Sequence, residues 1–255
     1  MALYGILSDI RGNREALGAA LEALERRGAR PIVCLGDVVG YNADPDECVA
    51  AVRARCAVSI AGDRDLIAVR KLGWRSLAND EEYSLRRTRR ALNRDSVSFL
   101  QDLPPCATLE KTLALVHGSV RNVLQPMADA AQIRENAAFL AQDFPGARVC
   151  FFGSHEQRVY RVHPDGAVDD LSGERLQLDP GLVYFINPGM VDASRRSGTK
   201  RAACALFDSR EWSVEFLQVP YDSAATEAKA AVFGYRLNPL TDRLYSLRRR
   251  LAARS

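Results

Sequence analysis

The chain has 255 residues, of which 47% are apolar and 26% are charged, and its formal net charge is +3. This composition is typical of a globular protein with a sizeable core, and so small a net charge does not favour nucleic acid as a partner. No apolar run reaches membrane-spanning length, and Asp9 and Arg11 follow the apolar residues 2–7 at once, so we expect neither a membrane span nor a signal peptide.

The first third of the chain alternates between predicted strands and predicted helices. Three short apolar runs that end at polar residues predict strands over Leu3–Leu7, Pro31–Leu35 and Ala57–Ile60. Helical spacing of leucines and cap residues predicts helices over Asn13–Arg27 and Asp44–Ala54. This alternation favours a parallel sheet with right-handed crossovers.

Each of these three strands is followed by an aspartate. Asp9, Asp37 and Asp63 lie within three residues of the predicted ends of the first, second and third strands. Because ligands of such sheets lie beyond the carboxyl ends of the strands, we expect the three carboxylates to meet at one edge.

The rest of the chain changes from helical to strand-rich. Helices are predicted over 80–92, 94–103 and 128–142, a hairpin over 107–116 and a strand over 149–152. Apolar and β-branched runs between residues 158 and 219 predict a second sheet packed on the first. We find no repeat or low-complexity linker, so residues 1–255 are predicted to form one domain.

A basic amphipathic helix is predicted at about 238–252. Its leucines fall on one face, and arginines supply its charge. The leucines are Leu240, Leu244, Leu247 and Leu251. Such a helix either docks on its own domain or binds a partner or nucleic acid. The six cysteines form no C-x-x-C pair, which favours reduced thiols and a cytoplasmic location.

Five segments resemble, in order, the signature motifs of the calcineurin-like metallophosphoesterases, which read D-x-H-G-N, G-D-x-x-G-Y, G-N-H-D, H-G and G-H-T-H. The segments are Ser8–Asn13 (SDIRGN), Gly36–Tyr41 (GDVVGY), Gly62–Asp65 (GDRD), Val116–Ser119 (VHGS) and Gly153–Glu156 (GSHE). Three further stretches, at 44–48, 187–191 and 219–222, resemble a bacterial phosphodiesterase or diadenosine-tetraphosphatase-like branch. The resemblance implies an α/β fold, a four-layer α-β-β-α sandwich, with a dinuclear metal centre at the sheet edge.

The resemblance assigns metal-ligand positions to Asp9, to Asp37 as the bridging carboxylate, and to His117. The other ligand positions depart from the family pattern. Arg11 stands for a histidine ligand, Asp63 for an asparagine, and Arg64 for the histidine that assists the leaving group. Ser154 and Glu156 stand for the last two histidines, which places His155 on the threonine position. With three histidines in the whole chain, the five that the family uses cannot be assembled.

The replacements suggest a specific hypothesis. Two carboxylates 4 Å apart repel by about 4 kcal/mol at an effective dielectric near 20, and in the family metal ions relieve this repulsion. Arg11 and Arg64 are permanent cations with planar donor groups, so an arginine–aspartate network can take the place of the metals. Arg11, Asn13, Arg64 and His155 then form the predicted phosphate-binding set, and Asp9, Asp37 and Arg64 the catalytic positions.

Two functions remain open for the motif residues, beside a nucleic-acid-binding or assembly role of the C-terminal helix. The first is a protein without a bound metal cofactor that hydrolyses phosphoesters weakly or not at all and binds a phosphate-containing molecule or a protein. The second is an active phosphoesterase that holds Mn²⁺ or Mg²⁺ through a reduced, oxygen-rich ligand set, in which Arg64 stabilises the phosphoryl group. That set is Asp9, Asp37, Asp63, His117 and Glu156.

Overall fold

The structure is a computed structural model that describes residues 2–74, 77–154, 156–193 and 200–252, the last five by their backbone only. The strands are β1 (Leu3–Leu7), β2 (Ile32–Cys34), β3 (Val58–Ser59), β4 (Ala107–Leu109), β5 (Leu113–Leu115), β6 (Val149–Phe151), β7 (Arg158–Val162), β8 (Val168–Leu171), β9 (Arg175–Gln177), β10 (Val183–Asn187), β11 (Arg201–Asp208) and β12 (Ser213–Pro220). The helices are α1 (Arg14–Arg26), α2 (Pro45–Arg55), α3 (Asp63–Ala68), α4 (Asn79–Ala91), α5 (Arg94–Asp102), α6 (Ala130–Asp143), α7 (Ser223–Val232) and α8 (Pro239–Ala252).

The strands form two mixed sheets of six. The first has the order β3-β2-β1-β11-β12-β9, and the second has the order β4-β5-β6-β10-β7-β8. The second sheet predicted from residues 158–219 is present, but of the strands in this range it contains β7, β8 and β10, while β9, β11 and β12 lie in the first sheet. Strands β11 and β12 return to the first sheet, where β11 pairs antiparallel with β1, while β10 joins β6 in the second sheet. Strand patterns do not reveal which sheet a strand will join.

Three layers of apolar side chains separate the four layers of secondary structure. Tyr4 and Ile6 of β1 pack with Phe151 of β6 between the two sheets. Helices α1 and α2 cover the outer face of the first sheet, and α6 covers the outer face of the second. The predicted α/β four-layer α-β-β-α sandwich is therefore confirmed.

Helix α8 begins where predicted, with Asn238 accepting from the Thr241 backbone N–H at 2.9 Å. It packs on α4 through an edge-to-face contact between Tyr245 and Tyr83. The leucine face does not make this contact, because Leu240, Leu244 and Leu247 are 56–74% exposed. The Leu251 side chain lies outside the described residues. Neither α8 nor any other helix in the described ranges is long and apolar enough to cross a bilayer.

Candidate active site

The ends of the strands in the first sheet bring the predicted carboxylates together. Asp9 lies two residues beyond β1, Asp37 lies in the loop after β2, and Asp63 is the first residue of α3, which follows β3. His117 enters from the second sheet, two residues beyond β5. All four side chains are buried or nearly so. The predicted meeting of the three aspartates at one sheet edge is thus observed.

Left-handed backbone conformations concentrate at this edge. Asp9, Arg11, Asp37 and Ser154 have φ values of 57°, 54°, 54° and 72°. A non-glycine residue in this region is strained by roughly 1–2 kcal/mol, and such strain clusters at functional sites. Each of these turns directs a side chain or a backbone N–H into the carboxylate cluster.

Two glycines allow the loops after β2 and β3 to touch. A Cβ on Gly62 would lie 2.2 Å from Asp37 Oδ1, and one on Gly36, whose φ is 94°, would lie 2.3 Å from the Gly62 nitrogen. No side chain fits in this contact, so both positions need glycine. The close approach is what lets Asp37 lie beside Asp63 and Arg64.

Asp9 is held by four donors from the protein. Its Oδ1 accepts from Arg11 Nη2 at 2.7 Å, while its Oδ2 accepts from the Ser8 hydroxyl at 2.7 Å and the Ser154 backbone N–H at 2.9 Å. The fourth donor is the Asp192 backbone N–H, which donates to the backbone carbonyl of Asp9. Ser154 therefore contributes a backbone donor at a position where the family places an imidazole.

Arg64 joins the other carboxylates. Its Nη1 donates to Asp37 Oδ2 at 2.7 Å and to Asp63 Oδ1 at 3.1 Å, and its backbone N–H donates to Asp37 Oδ1 at 2.9 Å. Arg11 Nε lies 3.9 Å from Asp37 Oδ2. Burial alone would lower the pKa of Arg64, but Asp37 and Asp63 outweigh it and raise that pKa well above its ordinary value. Arg64 is thus a fixed cation at the centre of the cluster.

Helix α4 reaches into the site through Glu81. Glu81 Oε1 accepts from Arg64 Nη2 at 2.8 Å and from the Tyr41 hydroxyl at 2.5 Å. The Tyr41 ring also lies under both guanidinium groups, 5.4 Å from Arg11 Cζ and 5.5 Å from Arg64 Cζ. Burial raises the pKa of Glu81, but Arg64 and then Tyr41 bring it below its ordinary value. Glu81 is therefore an ionised member of the cluster.

His117 is oriented by the backbone of the first sheet. Its Nδ1 lies 2.7 Å from the Leu35 carbonyl, to which it donates, and its Nε2 lies 3.4 Å from both Asp37 Oδ1 and Asp63 Oδ1. Burial lowers the pKa of His117, but Asp37 and then Asp63 outweigh it and raise the pKa to about 10. At neutral pH the imidazole is protonated and adds a third cation to the cluster.

Asp65 is a buried carboxylate beneath the cluster. Its oxygens accept from the backbone N–H groups of Val39 and Gly62, both at 3.1 Å. Burial, followed by the charge on Asp37, raises the pKa of Asp65 to about 7. Its bonds to both loops fix the position of the turn that carries Asp63 and Arg64.

Three residues of the predicted set lie elsewhere or outside the described residues. The Asn13 side chain has a structural role. It caps α1 by accepting from the Ala16 backbone N–H, and it donates to Asp192. The Gly12 and Asn13 backbone N–H groups donate to the Val38 and Ile10 carbonyls, so neither of these two N–H groups is open to an anion. Glu156 is exposed, in a cavity with Ser154 and Arg158. His155 lies outside the described residues.

The chain is similar in sequence to known proteins. The calcineurin-like phosphoesterase superfamily domain matches residues 2–211. The chain belongs to that superfamily. It is 30% identical over 229 residues to an uncharacterized protein of Methanocaldococcus jannaschii, covering 87% of this chain and 88% of the relative.

Two crystal structures share the fold over nearly the whole chain. A metallophosphoesterase from Sphaerobacter thermophilus is 27% identical, with a TM-score of 0.73 and coverage of 96% of this chain and 98% of that one. A hypothetical protein from Pyrococcus horikoshii is 18% identical, with a TM-score of 0.71 and the same coverage. The match of the superfamily domain to residues 2–211 confirms the family predicted from the sequence motifs.

Sequence reasoning missed three members of this calcineurin-like site. Asp65 had a signal, because it closes the motif segment that contains Asp63 and Arg64. Tyr41 likewise ends the second motif segment. Glu81 had none, since it lies 17 positions beyond Arg64 and only the packing of α4 brings it to the site.

Proposed function

We propose that this member of the calcineurin-like superfamily does not use a dinuclear metal centre and binds a phosphate-containing ligand with little or no hydrolysis. The observation that carries the proposal is the position of Arg11 and Arg64, whose guanidinium groups bond to Asp9 and Asp37 at 2.7 Å. These are the carboxylates that the family motifs assign to the metals.

The donor set does not fit two divalent ions. Each oxygen of Asp9 and Asp37 already accepts an N–H or O–H, from Arg11, Ser8 and Ser154 on one carboxylate and from Arg64 on the other. Two ions 3.5–4 Å apart would also stand among guanidinium groups of like charge. Ser154 and exposed Glu156 do not restore the lost imidazole ligands.

The phosphate part of the proposal is supported by the charge and by the relatives. Two arginines and a protonated His117 surround the site, and arginine is the side chain best matched to phosphate oxygens. The Sphaerobacter protein is described as a metallophosphoesterase, which favours a phosphorylated compound as the ligand class here.

Metal content and turnover test the proposal together. Protein purified with Mn²⁺ and desalted should contain less than stoichiometric manganese by mass spectrometry. It should also show no turnover of p-nitrophenyl phosphate or bis-p-nitrophenyl phosphate above a protein-free control. The matched variant carries Arg11→His, Arg64→His, Ser154→His and Glu156→His and should gain bound metal. Stoichiometric metal with turnover in the wild-type protein overturns the proposal.

A second candidate is a phosphoesterase with one metal ion. Within the described residues, Asp9, Asp37 and His117 offer ligand atoms that all lie within 4.8 Å of one another. The donation from Nδ1 to Leu35 leaves Nε2 facing the carboxylates, where a metal ion would bind by displacing the Nε2 proton. A hard ion such as Mn²⁺ or Mg²⁺ would polarise a phosphoryl oxygen there. One equivalent of metal, lost together with activity in Asp37→Asn, would favour this candidate.

A further inference from the structure

The Glu81 carboxylate lies in a cradle of three donors contributed by three segments. Arg64 Nη2 at 2.8 Å and the Tyr41 hydroxyl at 2.5 Å donate to its Oε1, and the Ala78 backbone N–H donates to its Oε2 at 2.7 Å. Donors converging on one carboxylate from a loop, α3 and the start of α4 form an anion-binding site that a side chain of the protein fills.

Arg64 points to the same conclusion. Its Nη1 is committed to Asp37 and Asp63, whose side chains are at most 12% exposed. Its Nε is buried and makes no hydrogen bond, although Arg64 as a whole is only 9% exposed. An unpaired buried donor costs stability, so an acceptor that reaches both Nη2 and Nε would bind better than one that reaches Nη2 alone.

Glu81 is the partner of Arg64 that an incoming anion can replace. Its side chain is 20% exposed and comes from the first turn of α4, whereas Asp37 and Asp63 lie beneath Arg64. Leaving the cradle requires a rotation of the Glu81 side chain and no change in either sheet. A tetrahedral phosphate group presents more oxygens than a carboxylate, and so it can engage Tyr41, Nη2 and Nε together.

We propose that Glu81 is an internal competitor that occupies the phosphate position of the site and lowers its affinity for phosphate-containing ligands. This inference rests on the proposed function and adds to it the position of the phosphate group and a means of controlling access. A ligand must displace the carboxylate, so its apparent affinity falls by the fraction of molecules in which the cradle is open.

Binding of inorganic phosphate and of phenyl phosphate, measured by calorimetry in EDTA at constant ionic strength, tests the inference. Glu81→Gln keeps the size of the side chain and removes its charge, and it should bind both probes roughly tenfold more tightly than the wild-type protein. The control Glu135→Gln removes the same charge from an exposed position on α6, on the opposite outer layer, and should leave the affinity unchanged. Tighter binding of phenyl phosphate than of phosphate would identify an ester as the preferred source.

The double variant Arg64→Met, Glu81→Gln locates the binding. This variant should not show the tighter binding expected of Glu81→Gln, because the cradle then lacks its cation. Circular dichroism with thermal melts confirms that each variant is folded. Equal or weaker binding in Glu81→Gln, no binding of either probe to any variant, or a gain that survives in the double variant each overturn the inference. Manganese and turnover in the wild-type protein would instead contradict the proposed function, through a different measurement.

Discussion

Arginine–carboxylate pairs occur in two very different settings in this protein. Arg55 and Glu25 form a two-point pair between α2 and α1 at 2.6 and 2.9 Å, with side chains 31% and 43% exposed. Arg64 and Asp37 form a pair of similar length, but their side chains are 11% and 0% exposed. The bonds are alike, and the surrounding dielectric differs.

The comparison between the exposed pair and the buried pair shows where charged groups determine the structure. Water screens the surface pair and would solvate either partner alone, so the pair adds little to folding. In the buried cluster each ion has lost its water, and only its neighbours stabilise it. A cation is therefore obligatory among the strand-end carboxylates, whether a guanidinium group or a metal ion supplies it.

Removing the buried cation should have the largest effect. Arg64→Ala leaves Asp37, Asp63 and Glu81 without their shared partner, and we expect the free energy of unfolding to fall by about 3–5 kcal/mol, as for other broken buried pairs. Urea denaturation followed by circular dichroism measures the change. A loss below about 1 kcal/mol would mean that water reaches the cluster and that the two settings do not differ.

Much of this site follows from the sequence, and the reason is local. Asp9, Asp37 and Asp63 each lie within four residues of the end of a strand, and the parallel arrangement of β1, β2 and β3 fixes where strand ends lie. Glu81 and the return of β11 to the first sheet depend on contacts between distant segments. No short pattern in the sequence carries that information, which is why both were missed.

Replacing the guanidinium groups by metal ligands should give the next largest effect. In Arg11→His, Arg64→His the carboxylates regain open positions, so Mn²⁺ should stabilise the variant by about 2.7 kcal/mol at 100 times its dissociation constant. Thermal melts with Mn²⁺ or EDTA measure this. The wild-type melting temperature should not respond to either addition. A rise in the wild-type protein with Mn²⁺ would show that the arginines yield to the metal.

Measured per pH unit, the pH dependence of the cluster should be smaller than either of these effects. Because the folded-state pKa of His117 is raised from 6.5 to about 10, its contribution is complete below pH 6.5 and is lost as pH rises through 10. Between these values the stability difference between the wild-type protein and His117→Gln should shrink on the order of 1 kcal/mol per pH unit. The pKa of Asp65 is raised from 3.8 to about 7. Its contribution to stability therefore also falls as pH rises, but between pH 3.8 and about pH 7.

At acidic pH, the dependence of stability on pH separates Asp63 and Glu81 from His117 and Asp65. The pKa values of Asp63 and Glu81 are lowered, so their contribution is present above their ordinary values, 3.8 and 4.5, and is lost as pH falls further. Denaturation of both proteins from pH 3 to 10 measures the profile. A difference that is constant between pH 7 and 10 would place the His117 pKa near its ordinary value.

The surface pair should give the smallest effect, and this makes it the reference for the whole series. Arg55→Ala removes a two-point ion pair with Glu25, yet we expect less than about 1 kcal/mol of change because both groups remain in contact with water when apart. Urea denaturation at low salt and at 1 M NaCl measures it, and the effect should nearly vanish at high salt. The Arg64→Ala effect should persist in the same salt, since its partners are buried. If both effects disappeared together, screening would reach the strand ends, and arginine would not be an adequate substitute for a bound ion there.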